Sequence, residues 1–584
     1  MKIKMFSAFV LCLTSVLIIN AQPTPKEKGL QAITADAIKG QLEFLASDWM
    51  EGRATGQRGS YLAADYIASM FKVFGVAPAG DAATGFGGRG MPRQIPAAVS
   101  PPATPAVAGP PAAAAAQAVA PPPPMAGPAG PGGRSSTPSK TYFQNFTLIE
   151  SQPSGGSTLS IKKGGREYTF EEGVDFSISR ATMGLKFEAP VVFVGYGIVD
   201  KANGIDDFAG VDVKGKVIIR LTGFPGYADI TSPMYKKLIG NDMRAQFEIS
   251  RKKSEVINNL GVLGIIDLTV NNDVAKRWGV YKFDNNPAPA ESGPRTNWSS
   301  MRLDGKNITS NPLTITVTER VSNLIIKEGG LDITKYEKDA AAGTLKFKPL
   351  LLTGLNTALS VNVNSRRVNV RNVVAIIEGE NPNEFVAVGA HMDHMGMDNG
   401  KIWNGADDNA SGTVAVMTIA KAFAASGVKP KRSIIFCAWT GEEQGLNGSE
   451  YFTLYPPVGK ISDYKFYMNF DMIARDAASD TAKNMAGITY TKAYPKLEEI
   501  SKTNLEEHKL NLKLNIRSQE APTGGSDYTA FTNNKIPVIS WMAAMHPDYH
   551  QASDHVNLTN WNKMTDIIKL GYLQLWDVAN GEIK

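Results

Sequence analysis

The strongest constraint in this sequence is a series of short apolar runs that alternate with amphipathic segments from about residue 368 to the C-terminus. Such runs are typical of strands buried on both faces, and amphipathic helices between them indicate a sheet covered on both sides. We therefore expect an α/β domain with a mostly parallel, mixed sheet between helices, and a ligand site beyond the carboxyl ends of its strands. The predicted elements are the strands 372–377, 385–390, 434–439, 466–472 and 536–541 and the helices 411–425, 494–504 and 561–578.

Histidines gather directly after these predicted strands. Scattered core or surface histidines would not be expected to cluster in this way. Taken singly, His394, His546 and His555 are equally compatible with polar residues at the rim of a site. The chain has six histidines, and five lie beside strand ends: His391, His394, His546, His550 and His555.

Two pairs of polar residues begin the pattern. His391 and Asp393 point to the same side of an extended chain, so that His391 can bind a metal while Asp393 accepts its other ring N–H. Asp407 and Asp408 are adjacent carboxylates in a loop that leads off an apolar sheet, where their repulsion favours a bound cation. A helix N-cap at 408–409 is the alternative interpretation.

The remaining carboxylates follow two other strands. Glu442 and Glu443 come after the strand that ends at Trp439, and one of them can bind a metal while the other takes a proton from water. A solvated acidic turn is the alternative, but the same pattern recurs at Asp471. With His550, these groups suffice for two zinc ions that share a carboxylate, and such a pair about 3.5–4 Å apart activates water for hydrolysis.

This ordered set of motifs resembles peptidase family M28, the co-catalytic di-zinc aminopeptidases and their glutamate carboxypeptidase relatives. The resemblance covers roughly residues 370–580, and the segment 44–56 is similar to the opening segment of that family. The motifs that carry it are His391-x-Asp393, Gly-Ala-Asp407-Asp-Asn-Ala-Ser-Gly, Glu442-Glu443, Asn-Phe-Asp471 and His550 with Asp554.

The resemblance implies the zinc exopeptidase fold and a role for each matched residue. Glu442 would be the general base, Asp393 would orient a ligand histidine, and a cis peptide would join Asp407 to Asp408. Tyr528 stands where many relatives have histidine, which is a departure from the family pattern. The implied ligands of the two zinc ions are His391 and Asp471 for one, Glu443 and His550 for the other, and Asp407 as the bridge between them.

The expected activity is removal of the N-terminal residue of a peptide. A carboxypeptidase or dipeptidase of the same fold would recognise a carboxylate through arginines, and the sequence alone does not place the candidates. A glutaminyl cyclase would use one zinc, and a non-catalytic, receptor-like relative would have lost ligands or the base, so the full set of ligands favours a hydrolase. The candidate arginines are Arg366, Arg367, Arg475 and Arg517.

Upstream of this region the composition changes several times. Lys2 and Lys4 precede an apolar run and predict a signal peptide over 1–21, hence a secreted or periplasmic protein; an uncleaved anchor is the alternative. After cleavage Cys437 is the one cysteine, so we expect no internal disulfide. The formal net charge of +5 is small and no block of Lys and Arg stands out, so we expect no nucleic-acid partner. The family resemblance implies a peptide substrate, and we expect no membrane partner after signal cleavage. Homodimerisation stays open.

Four predicted regions follow the signal peptide. Residues 22–80 form a helical segment of the peptidase domain, and 81–140 a disordered insertion, since 91–140 hold 14 of the 34 prolines. Short β segments separated by glycine-rich turns make 141–365 similar to a protease-associated domain. Residues 366–584 are the expected di-zinc catalytic domain.

Overall fold

The computed structural model describes most of the chain. The predicted signal peptide and nearly all of the predicted insertion lie outside the described residues. None of the described helices has the length and apolarity needed to cross a membrane. The described residues are 22–83, 139–179, 181, 183–227, 229–240, 245–258, 260–269, 300–305, 312–398 and 400–581.

Strands and helices alternate as the apolar pattern indicated. The strands are β1 (Ala77–Pro78), β2 (Phe143–Pro153), β3 (Thr158–Lys163), β4 (Arg166–Glu171), β5 (Phe176–Ser179), β6 (Leu185–Phe193), β7 (Val199–Asp200), β8 (Ile205–Asp206), β9 (Val217–Leu221), β10 (Gly264–Leu268), β11 (Ser300–Leu303), β12 (Leu313–Val317), β13 (Leu350–Val361), β14 (Val363–Ile377), β15 (Asn381–His391), β16 (Gly396–Asp398), β17 (Lys401–Trp403), β18 (Arg432–Trp439), β19 (Tyr464–Phe470), β20 (Met485–Thr491), β21 (Lys513–Gln519) and β22 (Val538–Met542). The α-helices are α1 (Pro25–Gln31), α2 (Ala35–Leu45), α3 (Arg58–Val73), α4 (Pro233–Leu238), α5 (Ala245–Asn258), α6 (Glu319–Gly329), α7 (Ile333–Ala342), α8 (Gly412–Ser426), α9 (Asn447–Leu454), α10 (Lys496–Glu507), α11 (Tyr528–Asn533) and α12 (Trp561–Asn580).

A ten-stranded mixed sheet forms the larger layer, in the order β11-β2-β14-β18-β15-β19-β22-β20-β21 with β1 beside β14. Its centre, β18-β15-β19-β22, pairs in parallel, as does the edge pair β20-β21, and the other neighbours are antiparallel. The predicted α/β class with a mixed sheet is confirmed. Because the four central strands run the same way, their carboxyl ends meet at one edge of the sheet.

Side chains alternate along the central strands and bury both faces of the sheet. Val386 and Val388 of β15 pack in the larger core with α2, α3, α8 and α12, whereas Phe385 and Ala387 pack in a second core with α9 and α11. Cys437 of β18 is a free, buried thiol in that second core. The sheet is therefore sandwiched between helices, which fixes the positions of the loops at its carboxyl edge.

A second sheet lies between β2 and β14 in the sequence and has its own core. It has eight strands in the order β4-β3-β13-β6-β9-β10-β12-β5, and α6 and α7 supply buried residues to its core. β2 and β11 pair in the larger sheet instead, so the strand at 143–153 belongs with the predicted catalytic domain and not with a separate domain over 141–365. That the second sheet is a protease-associated domain stays a prediction.

The two described ends of the Pro/Ala/Gly-rich stretch lie side by side. Ala83 N–H donates to the Ser139 carbonyl at 2.6 Å, and Gly80 N–H donates to the Thr141 carbonyl at 2.7 Å. We predict that replacing residues 85–138 by a short Gly/Ser turn shifts the thermal midpoint by no more than about 2 °C, because these flanking contacts persist. Differential scanning calorimetry of the shortened and full chains checks this, and a fall of several degrees would contradict it.

Candidate metal centre

The candidate site lies at the carboxyl edge of the larger sheet, where four central strands end. β15 ends at His391, Glu442 and Glu443 follow β18, and Asp471 directly follows β19. The loop after β22 carries His550. Residues that are far apart in sequence therefore meet because parallel strands present their carboxyl ends together.

One group of side chains surrounds the imidazole of His391, which is 1% exposed. Its Nε2 lies 3.4 Å from Asp408 Oδ1, 3.5 Å from Asp471 Oδ1 and 3.9 Å from Glu442 Oε2. The potential ligand atoms of His391, Glu442 and Asp471 all lie within 4.8 Å of one another. Nitrogen and oxygen donors at this spacing can converge on one metal ion.

A second group surrounds His550, on the other side of Asp408. His550 Nε2 lies 3.1 Å from Asp408 Oδ2 and 3.1 Å from Glu443 Oε2. Asp408 thus presents Oδ1 to His391 and Oδ2 to His550. This is the arrangement of a carboxylate that bridges two ligand groups.

Asp408, and not the predicted Asp407, therefore lies between the two ligand groups. The Asp407 carboxylate accepts the Ala474 N–H at 2.6 Å and lies 3.0 Å from His546 Nε2, so it faces away from His391 and His550. The cis peptide is displaced in the same way and joins Asp408 to Asn409. Asn409 Oδ1 accepts the N–H of Gly412, the first residue of α8, at 2.9 Å, whereas the N-cap residue of that helix is Ser411 and makes no side-chain capping bond.

Asp554 supports the turn that carries the bridge. Its Oδ2 accepts the N–H of Asp407 at 3.0 Å and that of Asp408 at 3.1 Å. Asp554 is fully buried, and Arg475 Nη1 lies 3.7 Å from its other oxygen. Two backbone N–H groups on one carboxylate fix the direction in which the Asp408 side chain leaves the turn.

Asp393 holds the site in a different way from the one predicted. The His391 Nδ1 lies 3.1 Å from the backbone carbonyl of Asp393 and 3.9 Å from its carboxylate. The carboxylate instead accepts the Thr55 hydroxyl at 2.7 Å and the Glu442 N–H at 3.2 Å. Asp393 therefore orients His391 through its main chain, and its side chain positions Glu442.

His394 was ambiguous in the sequence, and the structure buries it behind the second ligand group. Its Nδ1 lies 2.8 Å from Glu443 Oε1, while Glu443 Oε2 faces His550. A histidine bonded to the outer oxygen of a ligating carboxylate fixes the orientation of that carboxylate. The His-x-Asp-His spacing was the available signal, since it puts His394 beside His391. His555, by contrast, is exposed and stays at the rim.

Tyr549 was missed by the sequence reasoning. Its ring stacks on His550 with centroids 3.8 Å apart. Burial raises the pKa of its phenol well above the usual range, and the charges of Asp408, Glu443 and Glu442 raise the pKa further. Nothing in the local sequence, Pro-Asp-Tyr-His, distinguishes this tyrosine from a packing residue.

The adjacent glutamates have opposite environments. Burial raises the pKa of Glu442 well above its usual range, and His391 only partly offsets this. Burial also acts to raise the pKa of Glu443, but His550 and His394 outweigh it and hold that pKa well below its usual range. Two neighbouring carboxyl groups with separated pKa values are the pattern expected for an acid–base group beside a permanently ionised one.

The donor set fits divalent cations with a preference for nitrogen and oxygen ligands. His391, His550, Asp408, Glu443 and Asp471 supply two imidazoles and three carboxylates around two centres that share Asp408. So many carboxylates in a largely buried place repel one another unless cations balance them. The fit is thus good for two zinc ions.

A comparison with protein-family models matches residues 372–572 to peptidase family M28. The matched stretch contains every residue of the two ligand groups. The chain carries a peptidase family M28 domain. This M28 domain begins in β14 and ends in α12, and the predicted family is thereby confirmed for it.

Curated relatives match about a third of the chain. One is named "Probable leucine aminopeptidase 2" of Aspergillus fumigatus and is 33% identical over 220 residues, 34% of this chain and 41% of the relative. Another, "Leucine aminopeptidase 2" of Arthroderma otae, is 29% identical over 217 residues, 36% of this chain and 41% of the relative. The match thus spans less than half the length of these relatives.

A solved structure shares the fold over a greater length. It is described as "Aminopeptidase from Aneurinibacillus sp. strain AM-1", with a TM-score of 0.52 and 15% sequence identity, covering 96% of this chain and 97% of that chain. At this identity the likeness concerns the fold, and it extends beyond the M28 domain.

Proposed function

We propose that this protein is an exported, zinc-dependent aminopeptidase that hydrolyses the first peptide bond of its substrates. The observation that carries the proposal is the position of Asp408 between two His/carboxylate groups, with Glu442 beside them and not needed as a ligand. The names of the curated relatives support the aminopeptidase reaction. The N-terminal segment 1–21 supports export.

Five residues would hold two zinc ions. His391 and Asp471 would bind one ion, Glu443 and His550 the other, and Asp408 both. When bound, such a pair polarises a peptide carbonyl and lowers the pKa of a water molecule toward neutrality. The protein side chains around the pair then have to move protons and hold the substrate.

Glu442 is the proposed general base. Its carboxylate lies 3.9 Å from His391 Nε2, and its backbone N–H is bonded to Asp393, so its position relative to the first ligand group is fixed. It would accept a proton from water and deliver that proton to the leaving amine. The remaining ligands suffice without Glu442, which leaves it available for this transfer.

Tyr549 is the proposed donor to the carbonyl oxygen of the scissile bond. A hydrogen bond that strengthens as charge develops on that oxygen contributes mainly to kcat. We therefore expect Tyr549→Phe to lower kcat by about 10²-fold, with little change in KM or zinc content. Steady-state kinetics with an unblocked peptide checks this, and a fall in zinc content equal to the fall in kcat would assign Tyr549 to metal binding instead.

The arginines favour cleavage at the N-terminal end over recognition of a C-terminal carboxylate. Arg366 and Arg367 lie on β14 and pair with Glu150 and Asp304. Arg475 lies beside Asp554, with its Nη1 3.7 Å from Asp554 Oδ1, and its Nη2 is 2.5 Å from Asp548 Oδ2. These pairs already balance the guanidinium charges, whereas the many carboxylates of the site suit the ammonium group of a peptide N-terminus.

Mass spectrometry of one short peptide in free, N-acetylated and C-amidated forms, each with and without a chelator, tests the proposal. Trimming that the chelator and acetylation abolish and amidation spares is the expected result. Trimming that amidation blocks would replace the proposal with a carboxypeptidase or dipeptidase. No cleavage of any form would overturn it and favour a binding protein.

A further inference from the structure

The segment between α2 and α3 reaches into the M28 domain from far away in sequence. It is a tight turn, Asp48–Arg53, in which Glu51, Gly52 and Arg53 all have left-handed φ angles of 50–62°. A Cβ atom on Gly52 would lie 2.3 Å from the Gly396 carbonyl oxygen and 2.5 Å from that of Trp403. The turn is therefore pressed against the β16-β17 hairpin, and only glycine fits at that position.

Arg53 is the last residue of this turn and is 1% exposed. Its Nε donates to the Met392 carbonyl at 2.8 Å, and its Nη1 to the carbonyls of Leu45 at 2.7 Å and Asn404 at 2.6 Å. Its Nη2 donates to the Gly405 carbonyl at 2.8 Å. All four acceptors are backbone oxygens, so the guanidinium fixes the course of the main chain at each of them.

Two of the bonded segments carry the proposed zinc ligands. Met392 directly follows His391, and Gly405 precedes Asp408 by three residues. The Arg53 carbonyl also accepts the His394 N–H at 3.3 Å. A single guanidinium thus links the segment of the first histidine ligand to the segment of the bridging carboxylate.

The positive charge of Arg53 interacts with carboxylates at the proposed metal site. Burial lowers the pKa of Arg53 to about 10, and the carboxylates of Asp408, Asp554 and Asp393 act in the opposite direction. A buried cation bonded to neutral carbonyls depends on nearby anions for its charge balance. The carboxylates of the ligand site provide that balance, and Arg53 in turn offsets part of their mutual repulsion.

We propose that Arg53, together with Thr55, is a positioning residue of the metal site that sets the separation of His391 and Asp408 and thereby the affinity for zinc. The inference rests on the proposed function, because it concerns the same two ions. It assigns a role in metal binding to a segment that lies more than 300 residues before the nearest ligand in the sequence.

Lysine at position 53 is the informative substitution. It retains the positive charge, but an ammonium group cannot reproduce the planar fork of Nε, Nη1 and Nη2 that reaches carbonyls on separate segments. Arg53→Lys therefore separates the geometric contribution from the charge.

Arg432 offers a matched control. It is 8% exposed and donates to two backbone carbonyls, those of Val578 at 2.9 Å and Gly581 at 2.6 Å. It begins β18, whereas Glu442 and Glu443 follow the other end of that strand. Arg432→Lys removes a comparable buried clamp without touching the site.

The test is zinc affinity of the full mature chain, measured by competition with a chromophoric chelator well below the thermal midpoints of all variants. We expect Arg53→Lys to weaken zinc binding at least tenfold and to reduce the rise in thermal midpoint that zinc causes. Arg432→Lys should lower the midpoint of the metal-free protein and change the zinc affinity less than twofold. The size of the first effect is that seen when partners of metal ligands are removed, about 10–100-fold.

Wild-type zinc affinity in a folded Arg53→Lys protein would overturn the inference and leave the proposed function intact. If the unsubstituted chain binds no zinc, the proposed function fails and this inference with it. If circular dichroism shows that Arg53→Lys does not fold, Thr55→Val carries the test, because it removes only the hydroxyl bonded to Asp393 at 2.7 Å. Weaker zinc binding by Thr55→Val then supports the inference, and unchanged binding overturns it.

Discussion

Glu442→Gln should reduce peptide hydrolysis by about 10²–10⁴-fold and leave the zinc content of the protein unchanged. Glutamine keeps the size and one oxygen of the side chain but cannot accept a proton from water. The backbone N–H that binds Asp393 is unaffected by the substitution. Measuring kcat/KM and zinc per chain on the same sample checks both parts of the expectation.

Glu443→Gln is the matched control, since it makes the same chemical change at the next residue. Glu443 lies between His394 and His550, so the substitution should remove zinc from the second ligand group as well as activity. Near-normal activity in Glu442→Gln would discard the general-base assignment. Loss of zinc from Glu442→Gln would make Glu442 a ligand instead.

Asp408→Asn should release zinc from both ligand groups and abolish measurable activity. The amide nitrogen that replaces one carboxylate oxygen cannot bind a metal, so the bridge between His391 and His550 is lost. Asp407→Asn should be milder, with about a 10–100-fold loss of activity, because Asp407 only supports the turn through Ala474 and His546.

Equilibrium zinc titration of the two variants distinguishes the adjacent aspartates. We expect two ions per chain in Asp407→Asn at saturation and fewer in Asp408→Asn. The reverse order would show that Asp407 is the bridge, as the family resemblance implied, and would contradict the position of Asp408 between His391 and His550.

Much of the fold could be predicted because burial of the central strands on both faces is visible in their sequences. Strands buried on both faces leave long apolar runs, and β15, β18 and β19 begin and end within a few residues of the predicted bounds. The same logic placed five of the seven predicted site residues together, since the polar residues after buried strands share one edge of the sheet.

Edge strands and register escaped prediction for a physical reason. β20 and β21 lie at the margin of the larger sheet, and β21 is half-exposed, so its sequence lacks the apolar run that marks a central strand. The choice between Asp407 and Asp408 depends on the main-chain path through the turn, which the bonds from Asp554 determine. Sequence spacing alone does not contain that information.

The contacts between the segment 44–56 and the M28 domain could not be predicted from the sequence either. The segment 44–56 was noted only for its similarity to the opening segment of the family, whereas its contacts with Met392, Asn404 and Gly405 cross more than 300 positions of the chain. Tyr549 gave no signal in the sequence and His394 was ambiguous there, because the role of each depends on which side chain it faces.

Anomalous diffraction at the zinc edge, from crystals of the mature chain grown with zinc, is the most direct test of the proposed metal site. We expect two peaks about 3.5–4 Å apart, one contacting His391 and Asp471, the other Glu443 and His550, with Asp408 between them and Glu442 bound to neither. A single peak, peaks elsewhere in the molecule, or a zinc ion bound by Glu442 would contradict it.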